Sequence, residues 1–516
     1  MATISFLWHL HQPAYRTADG VSHAPWVLLH AGGSYTTLAR AIERTSARGH
    51  VVNIVPTLLE QLLAYRDRRV VDPVVDALTT PVTDLDEHQR STVVQWSAHV
   101  SPRQLERSPR LGELRETRRD RLTESDLRDL QALTILAHAG ESAWRDEDLA
   151  PLNHKGRDFD AGDLKIIARW LWEQPARLID RWRRLADLPG VEIATSPFAH
   201  PIMPLLIDTG VVRRSWPPGE APDVPPFAYP EDARLQLRTG LDFMRSHGFR
   251  SEGCWPPEGS VSVEALEIYD QLGVRWLVTD EEILERSLDR PIRSGGETPA
   301  PLYRPWRGPS ASPMVFFRDR QLSDLIGFEY GRWSDEGVAA IDFVERLKRC
   351  SAELTEDACI VIALDGENAW SHFPAGGGLF LETLMELLNQ PEPGIEPATL
   401  GQLTRRLRPG TLAELHPGSW IHAIFATWIG HPEKTRAWEL LSAVRRAMPE
   451  GEIPRSMVLA EGSDWFWWLG EDNPTELAPL YDRIYRHHLA DALASAEVPS
   501  PVDLDQPLKT TEERHG

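Results

Sequence analysis

Cysteine is scarce in this chain. Cys254, Cys350 and Cys359 are the three among 516 residues, with no CxxC spacing, which excludes a disulfide framework. No apolar run reaches the ~18 residues of a membrane-spanning helix, so no span is expected. Positive charge is also short: 55 Lys and Arg face 77 Asp and Glu, a formal charge of −22. That balance argues against a nucleic-acid partner and against an anionic membrane surface. A neutral polymer such as a polysaccharide meets no electrostatic penalty from it. The stretch from Met1 to Trp8 has no Lys or Arg ahead of its apolar residues, and His9 and His11 follow directly. It reads as a first buried strand and not as a signal peptide, so a cytoplasmic location is expected. Internal repeats and low-complexity segments are absent too.

What is present is a sizeable core and many tryptophans. Hydrophobic residues make up 41% of the chain, and Trp (19) outnumbers Tyr (9), which leans towards sugar stacking as well as core filling. The length predicts a barrel-sized domain with at least one more. The chain pivots on Cys359–Leu364, a continuous apolar run that suits a strand buried on both faces. It stops at Asp365-Gly366-Glu367-Asn368-Ala369-Trp370. In a barrel of parallel strands, chemistry sits where the strands end. Asp365 is placed where a general acid is needed; capping the next helix is the equally weighted alternative.

Further strands are expected at 3–8, 51–55, 190–195, 274–279 and 314–319, with helical stretches between them, an α/β pattern. The first ends at His9-Leu10-His11-Gln12-Pro13, whose alternation aims both imidazoles the same way. Half a metal site, a sugar-binding pair and a packed hydrogen-bonding pair all remain open for them. His200 sits between strand and prolines in a loop of restricted shape. Glu258 follows Trp255-Pro256-Pro257, a stiffened loop that holds a carboxylate beside an aromatic wall. A glycosidase nucleophile requires that; a charge at the start of the next helix is the alternative.

Residues 1–378 are expected to form the barrel, with a charged helical insertion at about 103–188. Gly376-Gly377-Gly378 reads as a flexible joint, 379–497 as a C-terminal helical domain and 498–516 as a frayed tail. Within the helical part, Ser463-Asp464-Trp465-Phe466-Trp467-Trp468 packs too many rings together for one helix face, so some must meet the barrel mouth.

Five stretches together resemble glycoside hydrolase family 57. They are His9–Pro13, the His200-Pro201 loop, Trp255–Glu258, Asp365-Gly366-Glu367 and Ser463–Trp468, in the family's order. Pro25–His30, His200–Leu206, Leu322–Phe328 and Asp365–Trp370 are similar to its α-amylase and amylopullulanase-like branch. The resemblance implies a distorted (β/α)7 barrel, a helical domain closing one side of the cleft, and retaining chemistry on α-glucosidic bonds, α-1,4 with α-1,6 left open as an alternative. It implies Glu258 as nucleophile and Asp365 as acid/base, with His9, His11, His200 and Asp464 on sugar hydroxyls. Trp26, Trp255, Trp370, Trp465 and Trp467 are implied stacking residues. The implied partner is an α-glucan or maltooligosaccharide, with no cofactor and no metal. Leu469 and Ser371 depart from the family pattern and bear on chain-length preference. Hydrolysis, 4-α-glucanotransfer and branching share this carboxylate pair. A metal-dependent barrel hydrolase and a silent glucan-binding scaffold are the rivals.

Overall fold

The computed structural model describes residues 2–508 apart from 294–298, 310–312, 391–394, 450 and 452. Among the described residues the strands are β1 (Ala2–Leu10), β2 (His50–Ile54), β3 (Val191–Ala194), β4 (Gly253–Cys254), β5 (Trp276–Asp280), β6 (Trp306–Arg307), β7 (Met314–Arg318), β8 (Cys359–Asp365), β9 (Ile395–Pro397) and β10 (Gly410–Thr411). They form two sheets: β3-β2-β1-β8, with β9 also on β1, and β10-β6-β7-β5-β4.

The two sheets meet at thinned seams. A single parallel bridge, Thr195 to Cys254, joins the β3 side to β4. Beyond β7, the Asp319 amide donates to Val361 O of β8 at 2.8 Å, and Arg318 Nη1 donates to Ala363 O at 3.1 Å. The strands β8-β1-β2-β3-β4-β5-β7 thus follow one another round a ring that the ladders do not close continuously. This mainly parallel α/β arrangement is consistent with the expected distorted (β/α)7 barrel, while the strand ladders themselves remain two sheets.

Strand chemistry explains the layering. β1 is buried at all nine positions, because both of its faces are covered. Its even residues, from Ala2 to Leu10, pack outwards against helices. Leu7 packs inwards with Val51, Trp276, Phe316, Val361 and Ala363. With a two-residue period, His9 is therefore the last inward position of β1 and Asp365 the last of β8. The register pairs His9 with Asn53 on one side and with Asp365 on the other. Asp280 and Arg318, paired across β5 and β7, end their strands in the same way.

Several boundaries differ from the sequence reading. The barrel layer continues past 378: the helix Gly378–Asn389 packs on Glu336–Ala352 and Ser34–Thr45, β9 joins β1, and β10 joins β6. The glycines at 376–378 are not a joint. A Cβ on Gly377 would come within 2.5 Å of the Trp370 ring, and one on Gly378 would collide with the Glu141 carboxylate. The helix Ala161–Ala186 lies on Trp26–Gly32, Ser34–Thr45 and Pro56–Arg66 as part of the outer layer, and Glu124–Ala139 packs in turn on it and on Trp26–Gly32. The described part of the expected tail is docked. Leu508 is buried, its amide donates to Asp482 Oδ2 at 3.2 Å, and Arg486 Nη1 donates to Leu504 O at 2.6 Å. Residues 509–516 lie outside the described residues.

The C-terminal helices Pro432–Ala447, Arg455–Ala460 and Ala478–Ser495 are tied to the barrel by buried polar contacts. Arg445 donates to both oxygens of Asp232, at 2.6 and 3.0 Å. Gln236 Nε2 donates to Val458 O and Glu461 Oε2. These ties fix the Ser463–Trp468 stretch against the barrel loops.

Candidate active site

A cleft of ≈ 370 Å³ opens at the strand ends, and Glu258, Asp365, His9, His11, His200, Asp464, Trp26, Trp255 and Trp467 all line it. Trp370 and Trp465, expected there, do not. Trp370 sits in a 3-10 turn, is buried against Trp8 and Phe373, and donates its indole N–H to Gly366 O at 2.7 Å. Trp465 is buried and donates to Leu459 O at 2.8 Å. In the four-residue helix Asp464–Trp467, Trp465 and Phe466 turn into the core, while Trp467 and its successor Trp468 face the cleft. A ~100° turn per residue separates the two pairs.

Two of the candidates sit in strained backbone. Glu258 (φ 58, ψ 27) and His200 (φ 58) occupy the left-handed region, which costs a residue with a Cβ ~1–3 kcal/mol and recurs at functional sites. The same kind of clamp holds each. The Trp420 amide donates to Glu258 O at 2.9 Å, and its indole Nε1 donates to Glu258 Oε2 at 2.9 Å. The Ser463 amide donates to His200 O at 3.0 Å, and Ser463 Oγ lies 3.0 Å from His200 Nδ1. Trp420 is held in turn by Trp255, edge-on at 5.3 Å, and by the Arg318 guanidinium 4.9 Å from its ring.

The three imidazoles form a stack, with His200 4.9 Å from His9 and 4.1 Å from His11 between ring centres. His9 Nδ1 lies 2.7 Å from Asn53 Oδ1, and His11 Nε2 lies 2.9 and 3.0 Å from the Asp464 oxygens. Burial, followed by the charge of His11, pulls His9 down to about 3, and burial pulls His200 well below the usual range. Both rings are therefore neutral at ordinary pH. His200 Nε2 and His11 Nδ1 are buried without a protein partner, which leaves a polar atom on each for a ligand. His11, His200 and Asp464 also present atoms within 4.8 Å of one another, a trio able to hold a metal ion.

The carboxyls are pushed upwards. Burial, then the charges of Asp365 and Asp464, raise Glu258 well above the usual range, against hydrogen bonds from Trp420 and Ser463. Burial raises Asp365, against Asn368, whose Nδ2 donates at 2.9 Å, and the charges of His11 and Arg318. The cleft also holds groups the sequence reading did not choose: Glu367, Trp420, Trp468, Tyr15, Tyr481 and His30. Glu367 directly follows the Asp365-Gly366 pair, and Trp420 follows Gly-Ser in a loop. Those were the available signals.

Carboxyls and imidazoles gathered at the ends of parallel strands define the site of a barrel enzyme. The sequence profile of glycosyl hydrolase family 57 matches residues 5–416, and the chain belongs to that family. No curated protein matches the chain significantly. Solved structures similar to it include a GH57-type branching enzyme from Pyrococcus horikoshii (16% identity, 99% of this chain and 97% of that one, TM-score 0.58). A GH57 branching enzyme from Thermococcus kodakaraensis is similar at 17% identity, over 96% and 90%, with TM-score 0.60. An α-amylase from Thermotoga maritima is similar at 14% identity, over 96% and 94%, with TM-score 0.57. At these identities the shared property is the fold. Among the described residues no helix is long and apolar enough to cross a membrane.

Proposed function

We propose that the protein cleaves α-glucosidic bonds of an α-glucan or maltooligosaccharide by double displacement with retention, with α-1,4 linkages as the principal reading and α-1,6 as its alternative. The observation that carries this reading is that Glu258 and Asp365 line one cleft walled by Trp26, Trp255, Trp420 and Trp467, with Asp365's charge acting on Glu258. Glu258 attacks the anomeric carbon while protonated Asp365 gives its proton to the leaving oxygen. A covalent glucosyl ester forms on Glu258. Asp365, now ionised, takes a proton from the acceptor, which displaces Glu258 and restores both groups. Like charges in one buried site favour a single shared proton, and hence one acid and one carboxylate. The indole N–H of Trp420 and the positive charge developing at the anomeric carbon favour ionised Glu258. The neutral His9 and His200 and the His11–Asp464 pair hold hydroxyls of the same sugar ring. The same hydroxyl-binding role is assigned to the His11, His200 and Asp464 trio, so activity should survive a strong chelator.

Water as acceptor gives hydrolysis; a sugar hydroxyl gives 4-α-glucanotransfer or branching with the same pair. Incubation with maltoheptaose separates them: only shorter sugars mean hydrolysis, and longer ones mean transfer. Glycogen binding without turnover would instead support a silent scaffold. The unpaired thiols of Cys254, Cys350 and Cys359 suit a reducing compartment, which supports a cytoplasmic location.

A further inference from the structure

A second groove of ≈ 300 Å³ adjoins the central cleft, and Trp26 and His30 line both. Its volume is at the lower end of the ~300–1,000 Å³ of small-ligand sites. One wall is the helical insertion and the turn just before it, which supply Gln104, Arg107 and His138, and His99; the other is the barrel side, including Ser34 and Ser371. The insertion approaches this closely because Gly33 has no side chain: a Cβ there would collide with His138 O. Trp26 stands between the two spaces, edge-on to Trp96 at 5.4 Å and to His138 at 5.6 Å. His138 Nε2 is buried and has no protein partner. Aromatic faces beside imidazole, amide, guanidinium and hydroxyl groups suit a neutral polyhydroxylated ligand.

The loop after β8 fixes which part of a glucan comes here. Asp365 at its start faces the central cleft, while Trp370, Ser371 and His372 of the same loop line the groove. Glu258, Trp420 and Trp467 line the cleft but not the groove. The groove therefore continues the cleft on the side of the group assigned to protonate the leaving oxygen. We propose that it binds the glucosyl units on the leaving-group and acceptor side of the cleaved bond, so that the helical insertion is an acceptor-side wall. This rests on the assignment of Asp365 and Glu258 above.

The test plugs the groove from either wall with Ser371→Trp and Ser34→Trp in the full chain, and compares maltoheptaose with α-maltosyl fluoride. Fluoride leaves without acid help and occupies no sugar site beyond the cleaved bond. The expected result is at least a tenfold fall in kcat/KM on maltoheptaose in both variants, with the fluoride reaction within twofold of wild type. An equal loss on both substrates, or no loss on maltoheptaose, overturns the proposal. A wild-type chain inert to the fluoride and to maltoheptaose would instead overturn the assignment of the carboxylates.

Discussion

Replacing Trp420 with Phe tests the clamp on Glu258. The substitution keeps a ring against Trp255 and Arg318 and removes the indole N–H that donates to Glu258 Oε2 at 2.9 Å. A hydrogen bond to a charged group contributes ~1.5–3 kcal/mol. Losing it removes a hydrogen bond that favours the ionised form, so Glu258 is pushed further up. In the proposed mechanism Glu258 must be ionised to attack, so the acid limb of the kcat/KM profile should move to higher pH. On the acid side the rate should fall by ~10–100-fold, while the alkaline limb, set by Asp365 as acid, should move little. The assay is a pH profile of kcat/KM on a maltooligosaccharide, with a melting curve to confirm folding. An acid limb unmoved in a folded variant would refute the reasoning, because Trp420 would then be packing alone.

Two further perturbations separate stability from binding. Asp72 caps the helix Pro73–Thr79, and burial pushes it up to about 6 despite hydrogen bonds from Tyr65 and the Val75 and Val74 amides. Against ~3.9 in the unfolded chain, the native state holds the extra proton between about pH 4 and 6, so stability falls as pH rises through that window. The loss amounts to a few kcal/mol, complete above pH ~6. Asp72→Asn keeps an oxygen for the cap and cannot ionise, so urea unfolding should show its advantage at pH 7.5 and little at pH 4; an advantage equal at both would contradict this. Trp465→Ala should cost ~3–5 kcal/mol of stability by emptying a core site. Trp468→Ala, whose ring stacks on Tyr481 at 5.2 Å in the cleft wall, should leave the melting temperature nearly unchanged and raise KM up to about tenfold.

The strands were legible because burial on both faces writes a continuous apolar run, as in Cys359–Leu364, and a run that ends in a polar or charged side chain marks the rim. That rule placed Asp365 and His9 at the mouth. Glu258 was legible from its prolines, although its left-handed backbone was not. Trp420 was not chosen because only a tertiary hydrogen bond gives its ring a function. The exchange of Trp465 for Trp468 reflects the phase of a single helical turn, which four aromatic letters in a row cannot reveal. Trp370 lies next to the site in sequence yet turns away from the central cleft, packing on Trp8 and Phe373. The glycines at 376–378 resemble a hinge in composition, but they are required by contact with Trp370 and Glu141.

The most direct measurement traps the covalent species. A 5-fluoro-α-glucosyl fluoride forms the ester and slows its breakdown, and peptide mass spectrometry locates the sugar. The account predicts one glycosyl group on the peptide carrying Glu258, absent in Glu258→Gln. A label on another residue, or inverted product from active enzyme with no label at all, would contradict it.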